Sequence, residues 1–114
     1  VDFLRACRGA AIPTGLVTAA WRSLVDASLE RMRADIGAEP FDVVVTGDSV
    51  TAGKPHAEPY ETAARAISVP TRDCLAVEDS PTGVQSAIAA GCVVVAIHEV
   101  ARVDDWNVLM VDSL

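Results

Sequence analysis

Leu75–Gly91 reads LAVEDSPTGVQSAIAAG. The stretch opens on a short apolar run, turns at two adjacent acids, Glu78 and Asp79, and continues into an Ala-rich segment. Ser80 is placed as an N-cap, Pro81 fits the first helical position, and Gly91 is a C-terminal stop, so a helix is predicted over Pro81–Ala90. A strand delivering its chain through a tight corner into a helix is half of a βαβ unit.

The same alternation runs outward in both directions. Strands are predicted at Thr14–Thr18 (TGLVT), Phe41–Thr46 (FDVVVT), Cys74–Glu78 (CLAVE) and Cys92–Ile97 (CVVVAI), with a weaker one at Val108–Val111 (VLMV). Val/Ile/Leu runs without polar alternation suit strands covered on both faces, as in parallel sheets. Helices are predicted at Ala20–Arg33 and Pro59–Ile67, and VDFLRACRGA at the start has the pattern of an amphipathic helix. In Ala20–Arg33 the residues Trp21, Leu24, Val25, Ser28, Leu29 and Met32 share one face. Strand–helix alternation of this kind implies right-handed crossovers and an open α/β sheet. The 114 residues suit a single domain, with no repeat, linker or low-complexity tract.

Composition narrows the function. Hydrophobic residues make up 51% and aromatics only 4%, so the core is built from Ala, Val, Ile and Leu. A formal net charge of −7 argues against a nucleic-acid partner, which needs a basic face. No apolar run reaches the roughly 20 residues of a membrane span, and no signal peptide is visible. Cys7, Cys74 and Cys92 form no C-x-x-C pattern and read as buried free thiols, which suits a reducing cytoplasm.

Parallel strands bring their carboxyl ends to one edge, where open α/β sheets bind ligands. Thr18, Lys54 and the pair Glu78–Asp79 all follow such ends. Paired carboxylates can hold Mg²⁺. A Lys can neutralise a phosphate, and a Thr hydroxyl can donate to one. These groups suit phosphoryl transfer, although a nucleophile is missing.

The strings GLVT (Gly15–Thr18), VTGDSVTAGKPHAEPY (Val45–Tyr60) and EDSPTGVQSAIAAGC (Glu78–Cys92) resemble, in order, the second, third and fourth motifs of the haloacid dehalogenase superfamily. The resemblance is to its β-phosphoglucomutase-like and phosphoglycolate-phosphatase-like hydrolases. It implies a Rossmannoid three-layer α/β/α fold. It further implies that Thr18 binds the transferring phosphoryl group, that Lys54 bridges this group and the nucleophile, and that Asp79, with Glu78 beside it, holds Mg²⁺. A small phosphorylated metabolite is the implied substrate.

The sequence also departs from the family. The D-x-D-x-T motif, whose first Asp is the family's nucleophile, does not occur; Asp42 and Asp104–Asp105 lack its spacing and context. The helical cap is absent too. The chain is thus expected to be the C-terminal half of such a core, 1–114, with a partial parallel sheet. The family's first, central strand would lie between the strands ending at Thr18 and Glu78. Its absence exposes two edges, which invites homo-oligomerisation, repacking or poor stability.

Other readings compete at single positions. Lys54 is not part of a Walker A loop, because Asp48 and Pro55 stand where Gly and Ser/Thr are needed. Asp48 fits turn chemistry. Ala57 replaces the second Pro of the K-P-x-P that the family often carries, an effect on loop shape. His56 follows Lys54–Pro55, and His98 reads as structural. Trp21 and Trp106 read as core or edge packing, Gly83 as a close contact. Two other functions compete with the enzymatic one. One is a non-catalytic α/β binding module. The other is a receiver-type phosphoacceptor, which would need an acidic pair after its first strand, where GLVTAA offers none.

Overall fold

A computed structural model of the protein describes residues 2–97 and 108–111. The elements run α1 (Asp2–Gly9), β1 (Gly15–Val17), α2 (Arg22–Ile36), β2 (Val43–Val45), α3 (Glu58–Ala66), a 3₁₀ turn (Thr71–Asp73), β3 (Leu75–Glu78), α4 (Pro81–Ala90), β4 (Val93–Ile97) and β5 (Val108–Val111). All predicted strands and helices are present, with ends shifted by a few residues. The 3₁₀ turn has no counterpart in the sequence reading. Trp106 and His98 lie outside the described residues, as do Asp104 and Asp105.

Helix ends follow their chemistry. The Ser80 hydroxyl accepts the Gly83 N–H at 3.1 Å, Pro81 begins α4, and Gly91 ends it with φ +92°. Gly37 closes α2 in the same left-handed conformation, φ +79°, and donates to the Arg33 carbonyl. Both positions need a residue without a Cβ penalty. Arg5 and Arg8 of α1 donate to the carbonyls of Asp35 and Glu39, tying α1 to the end of α2 and the turn beyond it.

Every strand pairing among the described residues is parallel. Gly15–Val17 of β1 runs beside Val43–Val45 of β2. β3 pairs with β4 from Leu75↔Val93 to Glu78↔Ala96, and β4 pairs with β5. The strands form two sheets, β1–β2 and β3–β4–β5, rather than one. The edges of β1 and β3 border an apolar cleft of about 890 Å³, lined also by α1 and α3. That is the position at which the resemblance puts a further, central strand. α3 packs on β1, β2 and α4, and α4 packs on β3 and β4, so one helical layer links both sheets.

The core is made of small side chains, as the composition requires. Tyr60, Ala76, Val84, Ala87, Val94 and Ala96 form its buried cluster. Coverage of the strands is less complete than their apolar runs suggest: Leu75 and Val93, at the strand starts, are 56% and 57% exposed. The α2 face is also narrower than predicted. Val25 and Leu29 are buried, but Trp21 and Leu24 are exposed, because Trp21 is the N-cap residue and no described element covers that end. Packing does not explain Trp21. The three cysteines are free thiols and half-buried rather than buried. Burial, and then Cys74, pushes the Cys92 thiol up to about 11.

Candidate functional site

The carboxyl ends of β1, β2 and β3 bring Thr18, Lys54, Glu78 and Asp79 around one open pocket of about 450 Å³. Ser80 and Thr82, at the start of α4, complete its polar wall. All four residues singled out in the sequence line this pocket although 61 positions separate Thr18 from Asp79.

Lys54 is the hub. Its Nζ donates to the Val17 carbonyl at 3.0 Å and to Oε1 of Glu78 at 2.5 Å. The two side chains are 9% and 6% exposed. A buried charge is tolerated only when paired and hydrogen-bonded, and this pair meets both conditions. A third group shares the same oxygen: the Tyr60 hydroxyl also donates to Oε1 of Glu78. Burial first, and then the neighbouring Glu78 carboxylate, hold the Tyr60 phenol well above its ordinary value.

The other face of Glu78 is closed by α4. A Cβ at Gly83 would stand 2.0 Å from Oε2. The close contact expected of Gly83 is therefore with the carboxylate itself. Asp79 is exposed, and among the described residues no side-chain hydrogen bond or salt bridge engages it. Adjacent residues at a strand end point to opposite sides, so the two acids are neighbours in sequence but differently employed: Glu78 faces Lys54 and Asp79 faces solvent.

Thr18 follows β1 directly. Its N–H donates to the Val45 carbonyl at 2.9 Å, and its hydroxyl oxygen accepts the Ala20 N–H at 3.1 Å. The hydroxyl proton stays free to donate to a ligand.

Two loops hold these groups in place. Gly47 donates to the Ala20 carbonyl at 2.8 Å, and a Cβ there would meet the Ala19 carbonyl oxygen at 2.3 Å. Asp48 accepts from the Thr46 hydroxyl at 2.5 Å and from the Arg22 N–H at 3.1 Å, capping α2 from another loop. Glu58 accepts the N–H groups of Thr51 and Ala52, and the Ser86 hydroxyl donates to the His56 carbonyl. Lys54 thus projects from a loop anchored to both α3 and α4. The Lys54–Pro55 peptide bond is cis.

Residues 1–97 match the sequence profile described as haloacid dehalogenase-like hydrolase. The chain belongs to the haloacid dehalogenase-like hydrolases. It is 36% identical over 99 residues to hexitol phosphatase A of Escherichia coli (strain K12), a match spanning 86% of this chain and 44% of that protein. It is 38% identical over 91 residues to phosphoglycolate phosphatase of the same strain, spanning 80% and 35%. Among solved structures, CbbY from Rhodobacter sphaeroides in complex with phosphate superposes with a TM-score of 0.79 at 25% identity, covering 98% of this chain and 51% of that one. The chain thus spans about a third to a half of the length of these relatives. The Rossmannoid α/β fold expected from the motifs is the fold of these hydrolases.

Sequence reasoning missed Tyr60 as part of the site. It stood inside a predicted helix, and its one signal was the hydroxyl on an otherwise apolar helix face. The Val17 carbonyl was also missed, since a backbone acceptor leaves no mark in a sequence.

Proposed function

We propose that this chain supplies the lysine, threonine and acid part of a phosphoryl-transfer site for small phosphorylated metabolites. The observation that carries the reading is the Lys54 ammonium, held between the Val17 carbonyl and Glu78 beside Thr18 and Asp79. A net charge of −7 makes such a locally built anion site necessary. The similarity to a hexitol phosphatase and a phosphoglycolate phosphatase supports the same substrate class.

In this reading Lys54 offsets charge on a phosphoryl oxygen and Thr18 donates to another. The nucleophile is an Asp carboxylate carried on a segment outside these 114 residues. Its oxygen bonds to phosphorus as the ester oxygen leaves and takes up a proton. The cleft between β1 and β3 is where an extended segment would reach Lys54.

The donor set fits Mg²⁺ in part. Asp79 offers an open carboxylate, Glu78 has its Oε1 committed to Lys54 and Tyr60, and the described residues contain no group of three or more potential ligands. Mg²⁺ often takes one or two carboxylates and fills its sphere with water and phosphate. Asp79 would hold it, with Glu78 beside it. When bound, the ion would supply charge neutralisation at the phosphoryl group.

No helix among the described residues is long and apolar enough to cross a membrane, and the three free thiols suit a reducing cytoplasm. The unpaired strand edges favour a second reading, a non-catalytic α/β binding module whose partner adds a strand there.

The test uses the 114-residue chain with Mg²⁺ and p-nitrophenyl phosphate. We expect no turnover but binding of inorganic phosphate, followed by ³¹P NMR, that Lys54→Ala removes. Turnover that disappears in Asp79→Ala would put the nucleophile inside the chain and overturn the reading. Phosphate binding that survives Lys54→Ala would overturn the role of Lys54.

A further inference from the structure

The chain has one lysine and one tyrosine, and both donate to the same atom, Oε1 of Glu78. Tyr60 is 9% exposed and sits in the first turn of α3, 18 residues before the acid it reaches. Its ring also lies under the ammonium, with Nζ 5.6 Å from the ring centroid. A phenylalanine would fill the same space. A buried hydroxyl costs free energy unless it is paired, so the phenol oxygen is retained here by what it bonds to.

That bond constrains a short chain of contacts. Oε2 of Glu78 is backed by Gly83, where no side chain fits. With Oε1 taken by Tyr60, the carboxylate is fixed from both sides. The Lys54 stem, which has several rotatable bonds, then has its head set by two fixed acceptors, Glu78 and the Val17 carbonyl. An ammonium has three donors. Two are used among the described residues, and the third is left for the pocket bordered by Thr18 and Asp79.

We propose that Tyr60 is a positioning residue, whose hydroxyl locks Glu78 and thereby aims the remaining N–H of Lys54 at the anion pocket. The proposal rests on the phosphoryl reading only for the identity of the anion.

The single lysine makes the test direct. The 114-residue chain labelled with ¹⁵N-lysine gives one side-chain ammonium signal, from Lys54 alone. In the unsubstituted chain we expect slow hydrogen exchange with water at that signal. Tyr60→Phe should speed exchange roughly tenfold, the scale of one lost hydrogen bond to a charged group. It should also raise the inorganic phosphate concentration for half-saturation of the signal's shift by a similar factor. Val84→Ala, a core truncation in the same cluster, should lower thermal stability without changing the exchange. Exchange unchanged by Tyr60→Phe, or changed equally by Val84→Ala, would overturn the proposal. Should phosphate leave the unsubstituted signal unmoved while Tyr60→Phe still speeds exchange, the phosphoryl reading falls and the hold of Tyr60 on Lys54 stands.

Discussion

Glu78 is the residue through which the site is organised. It receives Lys54 and Tyr60 on one oxygen and presses the other against Gly83. Truncating it leaves a buried ammonium with the Val17 carbonyl alone. Breaking a buried ion pair from one side costs about 3–5 kcal/mol, far more than the pair is worth against an apolar replacement. Glu78→Ala should therefore lose stability on that scale in urea denaturation, while the double variant Glu78→Leu, Lys54→Met should recover most of it. Equal losses in both variants would show that packing of the carboxylate, rather than its charge, is what matters. Much of this residue scale was legible in advance: Thr18, Lys54, Glu78 and Asp79 were picked out by type and by their place after strand ends. Tyr60 was not, because spacing gives the face a residue occupies but not the atom it meets across 18 positions.

The elements were legible because their ends carry specific chemistry. Ser80, Pro81 and Gly91 fixed α4 to the residue, and the observed cap and left-handed stop use those side chains as expected. α2 lacks such a start. Its N-cap is Trp21, which makes no side-chain cap bond, and Asp48 supplies the acceptor from the β2–α3 loop instead. No local pattern announces a cap borrowed from 26 residues away. This arrangement has a pH signature. Hydrogen bonding from the Thr46 hydroxyl first, with the Arg22 N–H also contributing, holds the Asp48 carboxyl below its ordinary value. A carboxyl lowered in the folded state stabilises the fold above its unfolded pKa. That contribution is lost as pH falls through the folded value. Asp48→Asn should therefore flatten the acid limb of a plot of melting temperature against pH by lowering its neutral plateau slightly, with the acid end nearly unchanged. The exposure of Asp48 keeps the effect small. An acid limb identical in both proteins would show that other carboxyls set it.

At the scale of the molecule, the decisive feature is that the five strands among the described residues form two parallel sheets. Apolar runs told which segments are strands, but not which edges meet. That order came from the family resemblance, which puts a further strand where β1 and β3 stand apart. The cleft between them carries apolar side chains and two backbone edges unpaired among the described residues, the arrangement that recruits another strand. α3 spans both sheets and keeps them in one body, so the cleft does not simply collapse. We expect the 114-residue chain to self-associate through these edges. Its sedimentation coefficient should rise with concentration, whereas exposed charge on the edge should suppress the rise. Leu75 is the position for that charge, since it lines the cleft at the start of β3 and is 56% exposed. Leu75→Lys places a solvated ammonium where an incoming strand would pack, at little cost to the core. If the unsubstituted chain stays monomeric over the whole range with a cooperative melt, the edges are not its interface. If it associates and Leu75→Lys associates as strongly, the contact lies on another face. Suppression by Leu75→Lys alone would identify the cleft as the surface at which this chain takes up a partner strand.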